Sequence, residues 1–253
     1  MGLGDELMAS GQARAEHIRT GKRVQIIGRD GLPRWHDLWT GCNYIALAED
    51  VCDFARVTHG PGLRPYHAAK SGTHWTYNPS FRPTPAEIHL TPAEEAFGRE
   101  HAGRIIIEPH LKPKASPNKQ WGWVRWNRLA YLAYGAGLRV TQLGPAGVEP
   151  VDEADFIVTP TFRHAVAVLK YARAAVLPEG GLHHAAAAVG LRAVVIFGGF
   201  TPVQITGYDT HINLGASFDD ACGMRQPCTH CERWMARIEP ADVLGHLMRI
   251  LDR

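Results

Sequence analysis

One stretch of the sequence, residues 177–188, carries the residue types best suited to hold an anion. An apolar run leads to Glu179, a glycine pair follows, and alanines with two histidines continue the chain. Glycines let a ligand approach the backbone, and the unpaired N–H groups and dipole of a helix start favour negative charge. The stretch therefore predicts a diphosphate site at Gly180, Gly181 and Leu182. The alternative is an ordinary strand–turn–helix in which the two histidines are cap or surface residues.

A second group of potential ligands lies in residues 222–231, called here the cysteine loop. It contains Cys222, Cys228 and Cys231. A Cys-x2-Cys pair lets two thiolates meet one ion across a tight turn, and a third thiolate nearly completes a tetrahedron, so we predict a structural metal with zinc as the default. Reduced thiols without metal are the alternative. The fourth ligand stays open among three candidates: His211, His230 or a cysteine from the first half.

The anion-binding stretch resembles the donor-binding motif of the heptosyltransferases, family 9 of the glycosyltransferases. In that motif an acidic residue, Gly, a small residue, His and an alanine-rich helix precede a strand ending near Phe-Gly. The matching positions here are Glu179, Gly181 and His184, and the family more often has Asp where Glu179 stands. The turn Gly2–Asp5 resembles the family's N-terminal Gly-Asp turn, and the segment Asn118–Trp121 resembles its Lys-x-Trp segment.

The resemblance implies an α/β fold of two Rossmann-like halves facing a cleft (GT-B type) and an inverting glycosyltransferase. The enzyme would move a heptose-like or other sugar from a nucleotide-diphosphate donor to a hydroxyl of a saccharide or protein. Asp5 would take the hydroxyl proton, while Lys119 and the backbone at 180–182 would stabilise the departing diphosphate without a divalent cation. Some relatives that modify proteins with heptose carry an iron-bound cysteine finger, so iron joins zinc as a candidate for the cysteine loop.

Each of these charged residues also has a purely structural explanation. Asp5 suits a helix N-cap or first turn, and Lys119 suits a solvated surface near a helix start. Glu149, in a turn after a predicted strand, is a candidate for binding ribose hydroxyls, although most glutamates in such turns are simply exposed. The competing function is a non-catalytic nucleotide-sugar or metal-binding module of the same fold.

A basic group follows another predicted strand and consists of His110, Lys112 and Lys114. Doubly wound sheets bind ligands at the ends of their strands, so these residues are predicted to line the phosphate side of the cleft. A solvated basic loop is the alternative. The three tryptophans within 121–126 are predicted to pack in the core rather than to stack on a ligand.

The composition disfavours several other classes of function. A formal net charge of +2 on 253 residues, without a basic stripe, argues against a nucleic-acid-binding protein. The sequence has no run of eighteen apolar residues and no basic-then-apolar order at its start, so we expect a cytoplasmic protein without a transmembrane segment. Five cysteines, three of them clustered, suit a reducing compartment, and Cys42 and Cys52 are expected to be free thiols.

The elements that must position these residues follow from periodicity and turn signals. Residues 91–94 combine a Thr N-cap, a proline at the first helical position and a capping-box glutamate. Apolar strands and amphipathic helices then alternate, which predicts a parallel sheet covered on both faces. We predict helices at 5–19, 121–134, 162–171, 182–189 and about 243–251, and strands at 24–27, 104–108, 139–143, 155–158, 174–177 and 193–197.

We predict three parts: an acceptor-side Rossmann-like half at 1–90, a nucleotide-sugar-binding half at 91–238, and a closing helix at 239–253. Residues 30–85 are rich in Gly, Pro, His and Trp and predict irregular loops with short elements. Family members usually have an apolar strand before the Gly-Asp turn, whereas here Met1 stands directly in the turn. We therefore expect a reduced first half, with its acceptor surface either smaller or completed by another copy in a homo-oligomer.

Overall fold

The computed structural model describes residues 2–50, 53–112 and 115–252. The helices in this part of the chain are α1 (Leu3–Thr20), α2 (Pro92–Glu100), α3 (Trp123–Gly135), α4 (Phe162–Tyr171), α5 (Gly181–Ala188), α6 (Val203–Thr206), α7 (Thr229–Ala236) and α8 (Pro240–Leu251). The strands are β1 (Arg23–Ile27), β2 (Phe54–Thr58), β3 (His67–Lys70), β4 (Trp75–Tyr77), β5 (Ile105–Ile107), β6 (Val140–Gly144), β7 (Asp155–Val158), β8 (Ala174–Pro178), β9 (Ala193–Gly198) and β10 (Ile212–Gly215).

Six strands form one parallel sheet in the order β10-β9-β8-β5-β6-β7. Strand β5 lies at the centre, with Ile106 opposite Thr141 of β6 on one side and Ala175 of β8 on the other. The chain first builds the sheet from β5 to β7 and then returns to the other side of β5 for β8 to β10. The order of the strands therefore reverses between β5 and β8.

Both faces of this sheet are buried, as the uninterrupted apolar strands require. Successive residues of a strand point to opposite faces, so Ile105 and Ile107 belong to one core and Ile106 to the other. The first core contains side chains from α3 and α8, among them the buried Trp126, and also the buried Trp121 just before α3. The second contains side chains from α4 and α5, and it also takes up α1 and β1.

The first ninety residues form a small α/β arrangement of their own. Helix α1 packs on the parallel pair β1–β2, and the antiparallel pair β3–β4 forms a separate hairpin. Helix α1 also packs along α5, which belongs to the large sheet. At the centre of α1, Gly11 lies so close to the carbonyl of Thr84 that no side chain fits there.

The predicted α/β class with a central parallel sheet is confirmed, and the predicted helices and strands are present with ends shifted by up to three residues. The Thr91 cap forms as predicted: its hydroxyl accepts the N–H of Glu94, and the Glu94 carboxylate accepts the N–H of Thr91. The division at residues 90 and 238 and the reduced first half stay predictions. Within the described residues, no helix is both long and apolar enough to cross a bilayer.

The sequence analysis missed six elements. These are β2, the hairpin β3–β4, α6, β10 and α7. Each is eight residues or shorter and lies in a segment rich in Gly, Pro or polar residues, where periodicity is weak. Cys42 is a buried free thiol, as predicted, whereas Cys52 and Lys114 lie outside the described residues.

Candidate active site

The strand order reverses between β5 and β8, so the carboxyl ends of these two strands are where a doubly wound sheet has its crevice. Doubly wound sheets bind their ligands in such a crevice. Glu108 follows β5 and Glu179 follows β8, so each of the two central strands ends in a carboxyl group. Glu179 is directly followed by the first turn of α5.

Helix α5 begins at the carboxyl end of β8 with the glycine pair of the predicted anion site. The N–H of Gly180 donates to Nδ1 of His183 at 2.9 Å, while Nε2 of His183 donates to the carbonyl of Thr206 at 2.9 Å. The N–H groups of Gly181 and Leu182 lie in the first turn, where a helix offers no internal acceptor. The helix dipole adds positive potential at the same place.

The first turn of α1 lies directly against the first turn of α5. A Cβ atom on Gly4 would lie 2.8 Å from Cδ2 of His184 and 3.4 Å from Cα of Gly181, so only glycine allows this approach. Lys112 reaches the same place, because a Cβ on Gly2 would lie 2.5 Å from its Nζ. Two helix N-termini and one ammonium group therefore converge.

Asp5, the predicted base, is buried at this junction and has strong partners. Arg64 donates to both of its carboxylate oxygens at 2.9 Å, the hydroxyl of Tyr66 donates at 2.5 Å, and the N–H of Gly2 donates at 3.2 Å. Burial raises the pKa of Asp5, but the hydrogen bonds and charge of Arg64 outweigh it and hold the pKa at about 2. Asp5 is therefore ionised at neutral pH and only weakly basic.

Lys119 and Glu179, predicted separately as donor-binding residues, form an ion pair. Glu179 is buried and also accepts a hydrogen bond from the Thr206 hydroxyl at 3.4 Å. Burial is the largest single effect and raises the pKa of Glu179, but Lys119 and His183 together outweigh it, so the net pKa lies below its usual value. A buried ion pair that carries further hydrogen bonds is a fixed polar site within an apolar fold.

His184, the predicted motif histidine, is buried and bonded through Nδ1 to the hydroxyl of Tyr208 at 2.8 Å. His211 packs nearby and donates from Nε2 to the carbonyl of His183 at 3.2 Å. Burial lowers the pKa of His184 well below its usual value, and nearby charges add to this effect. These imidazoles are therefore neutral at physiological pH.

Direct contacts place the predicted residues in one part of the molecule. Gly4, next to Asp5, lies against His184 of α5. Lys119 pairs with Glu179, which directly precedes the glycine pair at the start of α5. These residues, far apart in sequence, therefore lie around the start of α5.

Glu149 is not part of this group. Its side chain is exposed in the loop after β6, which is separated from β8 by β5. Its backbone carbonyl accepts hydrogen bonds from Gln142 at 2.9 Å and from His110 at 3.3 Å. The assignment of Glu149 to ribose binding stays a prediction. Its side chain is exposed, as expected if Glu149 is simply a surface residue of the turn.

Three residues around the site were not singled out from sequence, namely Arg64, Tyr66 and Glu108. The first two lie in the loop-rich segment 30–85 and contact Asp5 across 59 and 61 residues. Glu108 is half-buried, and burial raises its pKa to about 8 against the opposing effect of the His110 N–H. The only available signal for Glu108 was its position directly after a predicted central strand.

The cysteine loop brings its three thiols together as predicted. Sγ of Cys222 lies 3.3 Å from that of Cys231 and 3.8 Å from that of Cys228. Thiolates around a tetrahedral zinc ion, at about 2.3 Å from the metal, are roughly 3.8 Å apart. The N–H of Met224 donates to Cys222 at 3.4 Å. The donor set therefore fits a tetrahedral metal with one further ligand.

No described residue is placed as that fourth ligand. The thiol group of three contains neither His230 nor His211, and Cys42 lies in the core beside Glu87. Nε2 of His230 is buried without a hydrogen-bond partner in the described part of the chain. A second potential ligand group, Glu179 with the adjacent histidines, is close enough for a metal, but the Lys119 ammonium already supplies its cation.

No family model matches the sequence, and no curated protein matches it. Several solved structures match the fold of this chain. A family 9 glycosyltransferase from Veillonella parvula matches with a TM-score of 0.51 and 13% identity, over 67% of this chain and 54% of that one. The iron-containing dodecameric glycosyltransferase TibC from enterotoxigenic E. coli matches with a TM-score of 0.50 and 18% identity, over 68% and 51%.

The E. coli ADP-heptose heptosyltransferase II matches with a TM-score of 0.48 and 18% identity, over 65% of this chain and 53% of that one. The chain thus spans about half the length of the solved structures it matches. At these identities the two matches with TM-scores of 0.50 and above show the fold. The resemblance to family 9 glycosyltransferases, predicted from three short motifs, is therefore confirmed in the fold.

Proposed function

We propose that this chain binds a nucleotide-diphosphate sugar where α1 meets α5 and transfers the sugar, with inversion, to a hydroxyl of a saccharide or protein. One observation carries the proposal. Gly4, the neighbour of Asp5, lies against the first turn of α5, and Lys119 pairs with Glu179 directly before that turn, so three distant segments meet at the carboxyl end of β8. By the family resemblance the sugar is heptose-like.

The diphosphate would lie against the first turn of α5. The N–H groups of Gly181 and Leu182 supply hydrogen-bond donors, and Lys119 supplies the nearest compact charge. The α1 N-terminus and Lys112 add positive potential from the opposite side. Preorganised donors of this kind stabilise the negative charge of a departing diphosphate more than they stabilise the intact donor, so no divalent cation is needed.

In the transfer step the acceptor oxygen forms a bond to the anomeric carbon while the bond from that carbon to the diphosphate oxygen breaks. The electron pair of the broken bond leaves with the diphosphate, and the hydroxyl proton passes to the carboxylate of Asp5. A carboxylate with a pKa of about 2 accepts a proton only from a strongly acidified hydroxyl. Proton transfer therefore comes late, when bond formation has already acidified the oxygen.

A second candidate function is a non-catalytic nucleotide-sugar-binding module. It is favoured by the surroundings of Asp5, which is buried and whose oxygens are occupied by Arg64 and Tyr66. A carboxylate in such a network stabilises the fold whether or not it takes a proton. The donor site would be the same in both functions, so only turnover separates them.

Asp5→Asn separates the two functions. We expect nucleotide-sugar turnover to fall at least about 100-fold while nucleotide affinity changes by less than about threefold, because the base acts on the acceptor. The assay is transfer or hydrolysis across a panel of nucleotide sugars, with binding followed by calorimetry.

Glu6→Gln is the matched control, since Glu6 is the neighbouring buried carboxylate and forms an equivalent pair with Arg34 at 2.6 Å. Equal losses of turnover in both variants, or turnover unchanged in Asp5→Asn, would remove Asp5 as the base.

We also propose that the cysteine loop binds zinc or iron in a structural role. Three thiolates at tetrahedral spacing support a bound metal, and the iron in TibC supports iron as the alternative to zinc. Such a metal would fix the loop against α7 and would take no part in the transfer. Elemental analysis should find about one metal ion per chain in the wild-type protein and less than a third of that amount in Cys228→Ser. Wild-type protein purified without bound zinc or iron would contradict this proposal.

A further inference from the structure

The cysteine loop holds the segment that carries Lys119. Asn118, buried in a short 3₁₀ helix, donates from Nδ2 to the carbonyls of Met224 and Gln226 at 2.6 Å each. Its Oδ1 accepts the N–H of Cys228 at 3.2 Å. One side chain therefore makes three hydrogen bonds to three backbone groups of the loop, which saturates most of its bonding capacity.

The same loop positions the ring beside the Lys119 ammonium. The Lys119 ammonium lies 5.6 Å from the centroid of the Phe200 ring. The carbonyl of Phe200 accepts the N–H of Gly223 at 3.1 Å, and the carbonyl of Gly199 accepts the N–H of Cys222 at 2.9 Å. Both the peptide that carries Lys119 and the ring that faces its ammonium are thus attached to the loop.

On its other side the loop packs on the β3–β4 hairpin. The N–H of Trp75 donates to the carbonyl of Gly223 at 3.0 Å, and the N–H of Arg225 donates to the carbonyl of Thr73 at 2.8 Å. Gly223 has a φ of +64°, and a Cβ there would collide with the Trp75 carbonyl, so this approach requires glycine. The loop is therefore anchored independently of the segment it holds.

We propose that Asn118 is a positioning residue that fixes Lys119 for the donor diphosphate by tying it to the cysteine loop. This inference rests on the proposed function, in which Lys119 contacts the diphosphate. A lysine has four rotatable side-chain bonds, so its ammonium finds the phosphate efficiently only if its backbone is held in place. Asn118 acts through its neighbour and touches no substrate.

A double-mutant cycle of Asn118→Ala and Lys119→Gln tests this. The probe is whichever of ADP, UDP, GDP and CDP the metal-loaded wild-type protein binds most tightly in calorimetry. We expect Asn118→Ala to weaken binding roughly tenfold in the wild-type background and less than about twofold in the Lys119→Gln background, because the lysine is then already absent. An equal fold loss of nucleotide affinity in both backgrounds would overturn the proposal.

Asn118→Asp serves as a second variant, because it keeps the side-chain volume and the acceptor for Cys228 while losing both donated bonds. Asn118→Asp should weaken binding of the same nucleotide to a similar extent in the wild-type background. In the Lys119→Gln background it should have little effect on affinity. Asn127→Ala is the control, since Asn127 forms comparable hydrogen bonds with Asp152 at 2.7 and 3.2 Å on the outside of α3. It should leave affinity unchanged.

Failure of this inference and failure of the proposed function give different results. If the wild-type protein binds none of the four nucleotides, both the proposed function and this inference fail. If binding is tight and depends on Lys119, but Asn118 variants bind like the wild type or show the same loss in both backgrounds, only the role of Asn118 is overturned. Metal content measured alongside should stay at the wild-type level in Asn118→Ala, and its loss would count against a role through Lys119.

Discussion

At the scale of single residues, the site pairs Asp5 and Glu179 each with a cation, and one further carboxyl group has no cation partner among the described residues. Asp5 has Arg64, and Glu179 has Lys119. Glu108 has the N–H of His110 as its stabilising partner, and burial raises its pKa to about 8. The crevice between β5 and β8 therefore contains a carboxyl group that is protonated at neutral pH.

This protonation makes the stability of the protein depend on pH. Because the pKa of Glu108 is raised in the folded state, its favourable contribution is complete below about pH 4.5 and disappears as the pH rises to about 8. Glu108→Gln should remove this dependence and make the protein more stable than the wild type at pH 9, by roughly 1–3 kcal/mol. Urea unfolding at pH 5.5 and pH 9 measures the difference. An equal change in stability at both pH values would show that Glu108 does not titrate in this range.

At the scale of elements, the site depends on two helices whose first turns lie against each other. Gly4 in the first turn of α1 lies against His184 and Gly181 of α5, and this approach brings Asp5 close to the start of α5. The His184 ring is buried and held by Tyr208, so it has little freedom to move aside. A methyl group at position 4 would push the two helices apart.

Gly4→Ala should therefore destabilise the protein by about 1–3 kcal/mol, although alanine normally favours a helix. Gly245→Ala is the control, because Gly245 lies within α8 and a Cβ there would meet no atom within 4 Å. This change should be neutral or stabilising by up to about 1 kcal/mol. Thermal unfolding of both variants compares them, and a Gly4→Ala protein as stable as Gly245→Ala would contradict the tight junction.

The sequence predicts five of the six strands of the large sheet because those strands are continuous apolar runs, and the helices between them carry clear periodicity and caps. Glu179, Gly181 and Lys119 could be predicted as donor-binding residues because each lies in a short local motif. Arg64 and Tyr66 could not, because their contacts with Asp5 span about 60 residues and start from a segment without periodicity. Long-range pairing of this kind depends on how α1 and the β3–β4 hairpin pack, and no local pattern encodes it.

At the scale of the whole molecule, three distant segments support one site. Helix α1 contributes Asp5, the segment before α3 contributes Lys119, and the turn after β8 contributes Glu179 and the start of α5. The cysteine loop contacts both the Lys119 segment and the β3–β4 hairpin, so it connects the two sides. The predicted donor site is thus a property of the assembled fold and of no single segment.

The most direct test of the account is calorimetric titration of ADP, UDP, GDP and CDP into the wild-type protein and Lys119→Gln. The control is Lys170→Gln, which removes a lysine paired with Glu95 at 2.6 Å on the α2–α4 surface. We expect at least one nucleotide to bind the wild type and the control equally, and to bind Lys119→Gln about 10- to 100-fold more weakly, as expected for the loss of a charge-assisted phosphate contact. No binding by the wild type, or equal binding by all three proteins, would contradict a diphosphate site at the start of α5.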